Sequence, residues 1–122
     1  MVKTPKTVTP QAVAQIAVEA LQEKKGIDIV VLDLREVKNA VVDYFVICSG
    51  NSDTQVDALR NSVEDMMWKN LGVSVWHKEG IQQREWILLD YVDVVVHIFK
   101  KERRRFYGLE ELWGDAEATT YE

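Results

Sequence analysis

Glu85-Trp86-Ile87-Leu88-Leu89-Asp90-Tyr91-Val92-Asp93-Val94-Val95-Val96-His97-Ile98-Phe99 is the densest run of β-branched and aromatic residues in the chain, and it reads as two strands meeting at a turn. With Tyr91 and Val92 as a two-residue loop, Asp90 pairs with Asp93, Leu89 with Val94, Leu88 with Val95, Ile87 with Val96 and Trp86 with His97. Strand side chains alternate, so this hairpin has two distinct faces. Ile87, Leu89, Val94, Val96 and Ile98 make one that is entirely aliphatic, as helix packing requires. Trp86, Leu88, Asp90, Asp93, Val95, His97 and Phe99 make the other, where aromatics, an imidazole and two carboxylates point to work beyond folding.

Working outward, Val73-Ser74-Val75-Trp76-His77 alternates as a further strand, joined to the hairpin by the polar segment Glu79–Arg84. Upstream, Ser52 with Gln55 three residues on has the form of a capping box and opens a helix. Its apolar stripe is Val56, Leu59, Val63, Met66, Met67 and Leu71, and Gly72 stands at the left-handed C-cap position. Ile27–Leu34 and Asp43–Cys48 are short β-branched runs whose connection suits an antiparallel pair. Thr9-Pro10 starts a first helix, with Thr as N-cap and Pro at N1, that ends near Gly26. After Phe99, a cationic helix over 100–107 is followed by the apolar turn Leu109, Leu112, Trp113, and the residues from Gly114 onward are expected to fray. The order gives an α/β (α+β) chain with a five-stranded mixed sheet, organised as one domain over 1–113 and a flexible acidic tail over 114–122.

The 122 residues, 47% of them hydrophobic, suit one core without disulfides or structural metal. Cys48, the single cysteine, reads as a small buried hydrophobe. No signal-peptide core follows Met1–Lys6, and no apolar run approaches the roughly 20 residues of a membrane span, so a cytoplasmic protein without a membrane partner is expected. Fifteen Lys and Arg against twenty Asp and Glu leave a net charge of −5. That balance gives little attraction to a phosphate backbone and favours a basic protein partner over nucleic acid.

Each candidate residue carries more than one reading. Asp90 and Asp93 facing each other across a strand pair would repel, which a turn-capping role for Asp90, a cationic partner or a metal would offset; no other Asp, Glu or His has the spacing to complete a metal site. His97 reads as a buried, satisfied imidazole or as a functional one. Trp86 reads as an interface anchor or as core. Ser49–Ser52 reads as a helix cap or an anion site. No nucleophile elbow, P-loop or nucleophile–His pair is present, so neither a catalytic set nor a cofactor is expected.

Asp43–Ser52, Gln55, Glu79-Gly80, Trp86–Asp90, Asp93–Phe99, Arg105, Tyr107, Leu109-Glu110 and Leu112-Trp113 together resemble the ribosomal silencing factor (Iojap) family, over about Ile27 to Ala116. The resemblance implies a nucleotidyltransferase-like fold without transferase activity. It also implies binding to ribosomal protein fourteen of the large subunit, which blocks joining of the small subunit and represses translation when nutrients are short, and self-association of the free protein. On this reading Trp86, Leu88, Asp90, Asp93, Val95 and His97 dock on the ribosomal protein. The alternative is a nucleotidyltransferase-fold enzyme or nucleotide-binding protein, but Gly50 is followed by Asn51 where active members of that superfamily carry Gly-Ser. Val92 stands where the family usually has Gly; a Val takes positive φ only at a cost, so a wider or bulged connection is expected in place of the two-residue turn.

Overall fold

The computed structural model describes residues 8–122, and the expectation for Met1–Lys6 lies outside the described residues. Thr9 caps helix α1 (Pro10–Glu23) by accepting from Ala12 N–H at 3.1 Å, with Pro10 at the first helical position. Strand β1 (Ile27–Asp33) runs antiparallel to β2 (Tyr44–Gly50). Ser52 caps α2 (Asp53–Leu71): Ser52 Oγ accepts from Gln55 N–H at 3.1 Å, while Gln55 Oε1 reaches one residue past the cap and accepts from Asn51 N–H at 2.7 Å. Gly72 ends the helix at φ 65°, where a side chain would be strained. Then follow β3 (His77–Glu79), β4 (Trp86–Asp90), β5 (Val94–Lys100), α3 (Lys101–Tyr107), the single turn α4 (Leu109–Leu112) and β6 (Glu117–Tyr121).

The strands form one mixed sheet of six in the order β3-β4-β5-β2-β1-β6, with β2 and β5 parallel and all other neighbours antiparallel. This corrects the five-stranded expectation. The additional strand is the tail, which does not fray among the described residues: Ile29 to Asp33 pair with Tyr121 to Glu117. Thr119, Thr120 and Tyr121 have high β-propensity, and that preference outweighs the acidic composition once β1 offers an open edge. Tyr121 also packs against the helix-covered core. The third strand is likewise displaced. Val73 and Val75 are half-buried and Ser74 and Trp76 exposed, as the alternation implies, but the ladder with β4 runs from His77 to Glu79.

Helices α1 and α2 cover the aliphatic face of the hairpin. Ile87, Leu89, Val94, Val96 and Ile98 are fully buried there beneath Ala17, Leu21, Leu59, Val63 and Met67. Cys48 lies in the same layer, its thiol pushed up to about 12 by burial, so it stays protonated and unreactive. The opposite face carries a smaller second layer, in which Val30, Leu32, Ile47 and Phe99 meet Leu109, Trp86 and Trp113. Arg104 locks this layer to the sheet. Its guanidinium donates to Asp28 O at 2.7 Å and Ser49 Oγ at 3.0 Å and pairs with Glu110 at 2.8 Å.

The hairpin register is shifted by two residues from the one that a Tyr91-Val92 loop gives. Asp90 pairs with Val95, Leu89 with Val96, Leu88 with His97, Ile87 with Ile98 and Trp86 with Phe99. A shift of two preserves side-chain parity, so both faces keep their members while every partner changes. Asp90 and Asp93 are therefore not cross-strand neighbours. The wider connection expected from the family departure at Val92 does not form: Tyr91 N–H donates to Val94 O at 2.8 Å, which leaves Val92-Asp93 as the loop, and Val92 sits at φ 78° in a γ-turn closed by Asp93 N–H donating to Tyr91 O at 3.0 Å. A β-branched residue at positive φ costs about 1–3 kcal/mol, and Val92 is 58% exposed, so little burial offsets it. Val92→Gly is expected to stabilise the fold by about 1 kcal/mol, after roughly 0.5–1 kcal/mol of added backbone freedom in the unfolded chain is subtracted. Urea unfolding at neutral pH measures this, and a less stable variant would show that the turn is unstrained.

Candidate functional site

The mixed face is only partly covered, and the gap is a pocket of about 250 Å³. Its floor is the sheet: Leu88 and Asp90 from β4, Val95 and His97 from β5, and Phe45 from β2. Its walls come from the β1–β2 connection, with Leu34, Ala40 and Val42, and from Trp113 just after α4. Val41 stands at its mouth, 93% exposed. Four of the six expected site residues line this pocket. Trp86 and Asp93 do not.

His97 is 3% exposed, and its surroundings set its chemistry. Trp86 Nε1–H donates to His97 Nδ1 at 3.0 Å, which places the ring proton on Nε2. Nε2 is buried without a nitrogen or oxygen partner among the described residues, while the Phe45 ring stands nearly perpendicular to the imidazole at a centroid distance of 4.5 Å. Desolvation holds the imidazole pKa down to about 3, so the ring is neutral at physiological pH. His97 is thus a buried imidazole, with Nδ1 hydrogen-bonded and Nε2 without a nitrogen or oxygen partner among the described residues.

Trp86 lies on the side of His97 away from the pocket. Its indole stacks on Phe99 at 5.0 Å and contacts Tyr107 at 4.8 Å, so it packs within the second layer. Asp90 Oδ1 accepts from Val92 N–H at 2.7 Å, the turn-capping role, and the residue also lines the pocket. Asp93 is exposed in the turn, next to Asp43, whose N–H donates to Asp93 O at 2.8 Å. Ser49–Ser52 is taken up in structural bonds, Ser49 with Arg104 and Ser52 with the α2 N-terminus.

Leu34, Ala40, Val41, Val42, Phe45 and Trp113 are the lining residues that sequence reading alone misses. Phe45 was in principle accessible, since parallel pairing with β5 sets it opposite Val95 on the same face. The wall residues carry no local signal, because they belong to an irregular connection and a helix end.

A family model described as "Ribosomal silencing factor during starvation" matches residues 7–122. The chain belongs to the ribosomal silencing factor family. Ribosomal silencing factor RsfS of Bacillus subtilis is 43% identical over 106 residues, covering 87% of this chain and 88% of the relative. The chloroplastic protein Iojap of Zea mays is 37% identical, covering 80% of this chain and 42% of that protein. A crystal structure from Chromobacterium violaceum shares 37% identity, with a TM-score of 0.81 and coverage of 88% of each chain. A second, from Bacillus halodurans, also at 37% identity, has a TM-score of 0.75 and covers 92% of this chain and 98% of that one. This silencing factor therefore shares its architecture with solved proteins at an identity high enough to carry the family, and none of its described helices is long and apolar enough to cross a membrane.

Proposed function

We propose that this silencing factor binds ribosomal protein fourteen of the large subunit through the pocketed face of its sheet, and that its bulk then blocks joining of the small subunit. The observation that carries this reading is the pocket itself: an apolar recess with Asp90 in its lining, on an acidic chain, is the form a basic protein partner fits. Leu88, Asp90, Val95 and His97 belong to that contact, Asp93 to its rim, and Trp86 supports it from behind. The nucleotidyltransferase-like scaffold serves here as a binding platform in the cytoplasm, not as a catalyst.

Occlusion is stoichiometric, and an enzyme is not. Subunit joining, followed by light scattering as the protein is titrated against a fixed amount of large subunits, is expected to fall in proportion and to saturate near one protein per subunit. Washing the protein away should restore joining. Full inhibition at about a hundredth of the subunit concentration, or inhibition that outlasts removal of the protein, would refute occlusion.

A further inference from the structure

We propose that the C-terminal strand β6 is a strap that holds Trp113 in place as a wall of the pocket, so that residues 117–121, none of which lines the pocket, position the docking surface. This rests on the reading of the pocketed face as that surface and names what shapes it. Every other lining residue belongs to the central strands or to the β1–β2 connection, and Trp113 alone comes from the C-terminal segment. Its ring stands edge-on to Phe45 in the floor, at a centroid distance of 5.8 Å, and packs half-buried in the second layer.

Local structure is too slight to fix that ring. Helix α4 is a single turn of four residues without a side-chain N-cap, far short of the length at which a helix is stable alone. On its N-terminal side it is tied down by the buried Leu109 and by the pair between Glu110 and Arg104. On its C-terminal side only Gly114, Asp115 and Ala116 separate Trp113 from β6, with Ala116 N–H donating to Trp113 O at 3.0 Å. Glu117 then pairs with Asp33 at the end of β1. Four residue steps reach at most about 14 Å, so this ladder confines Trp113 to the neighbourhood of that strand end. Leu34, the residue after Asp33, is itself a lining residue. One strand pairing thus ties together the wall that leaves β1 at Leu34 and the wall that enters β6 after Trp113.

The strap is separable from the rest of the fold. It is an edge strand, exposed at its first four residues, and Tyr121 is its one residue packed against the helix-covered core. Its pocket end begins on a disfavoured pair, since Asp33 and Glu117 set like charges across the ladder, which Arg35 offsets by pairing with Asp33 at 2.8 Å. At the far end the Gln22 side chain donates to Glu122 O at 3.0 Å. An element with so little buried apolar surface opens locally at a free energy well below that of global unfolding.

The test uses the full chain labelled with ¹⁵N, in which each of the four tryptophans gives an indole N–H signal and Trp113→Phe assigns that of Trp113. Thr119→Pro together with Thr120→Pro breaks the ladder, because consecutive N–H groups of a strand point to opposite edges and one of the two faces β1. In this variant the Trp113 signal is expected to move or broaden while that of Trp86, bonded to His97, stays in place and reports a folded second layer. Where the Trp86 signal moves as well, Tyr121→Ala, which unseats only the far end of the strap, replaces the proline pair. Capture of large subunits by co-sedimentation is expected to weaken about fivefold or more, the scale of losing one interface residue. Trp113→Ala should weaken it to a similar degree, and adding the prolines to Trp113→Ala should cost nothing further. A Trp113 signal that stays in place, undiminished capture by the proline variant, or losses that add would overturn the strap. Absence of capture by wild type would refute docking on the ribosome, and displacement of the Trp113 signal by the prolines would then still uphold the strap.

Discussion

Trp86→Ala is expected to destabilise the protein by about 3 kcal/mol or more, the usual cost of truncating a packed tryptophan. The indole contributes stacking on Phe99 and Tyr107 and the N–H that His97 Nδ1 accepts. Alanine removes the packing and also leaves a buried imidazole nitrogen without its partner, a further penalty of about 1–3 kcal/mol if no water replaces it. A thermal melt should show a drop of about 10 °C or more. Trp86→Phe keeps a ring against Phe99 and loses only the hydrogen bond, so it should fall between alanine and wild type. An alanine variant that melts with wild type but no longer captures large subunits would instead make Trp86 a contact residue and not a support.

Acid sensitivity from His97 is the second large effect. In the unfolded chain this imidazole takes a proton near pH 6.5, whereas in the folded protein burial delays protonation to about pH 3. Between those values the unfolded state binds more protons, so stability falls as the pH falls, by about 1.4 kcal/mol per unit below pH 6.5. By pH 4.5 the loss from this residue is about 3 kcal/mol. His97→Gln removes the titrating ring and keeps an oxygen able to accept from Trp86 Nε1–H. Urea unfolding at steps from pH 7 to pH 4.5 should therefore give a flatter slope for His97→Gln than for wild type. Parallel slopes would mean that the imidazole protonates without unfolding and that the second layer admits water.

The parts of this protein legible in its sequence are those set by local chemistry. Thr9-Pro10, the Ser52–Gln55 box and Gly72 mark helix ends because they answer unpaired backbone groups within a few residues of themselves. The two faces of the hairpin were readable because side-chain alternation has period two, and even a register shifted by two residues leaves those faces unchanged. Family membership was readable for a related reason: the motifs that carry it are contiguous runs on β2, β4 and β5.

What only the tertiary structure decided depends on groups far apart in the chain. Residues 117–121 become a strand because β1 presents an open edge to them, and a neighbour nearly 90 residues away is invisible in a five-residue segment. Val92 adopts φ 78° because the register of the strands on either side holds it there, against its own preference. Trp86 and His97 share a face in any register of the right parity, but which of them lines a cavity follows from where α3 and Trp113 come to rest. Tyr107 closes over Trp86, while Leu34, Ala40 and Val42 stand off from the sheet and leave a recess beside His97. A pocket is space left between elements, and no residue's own chemistry records how far apart its neighbours will pack.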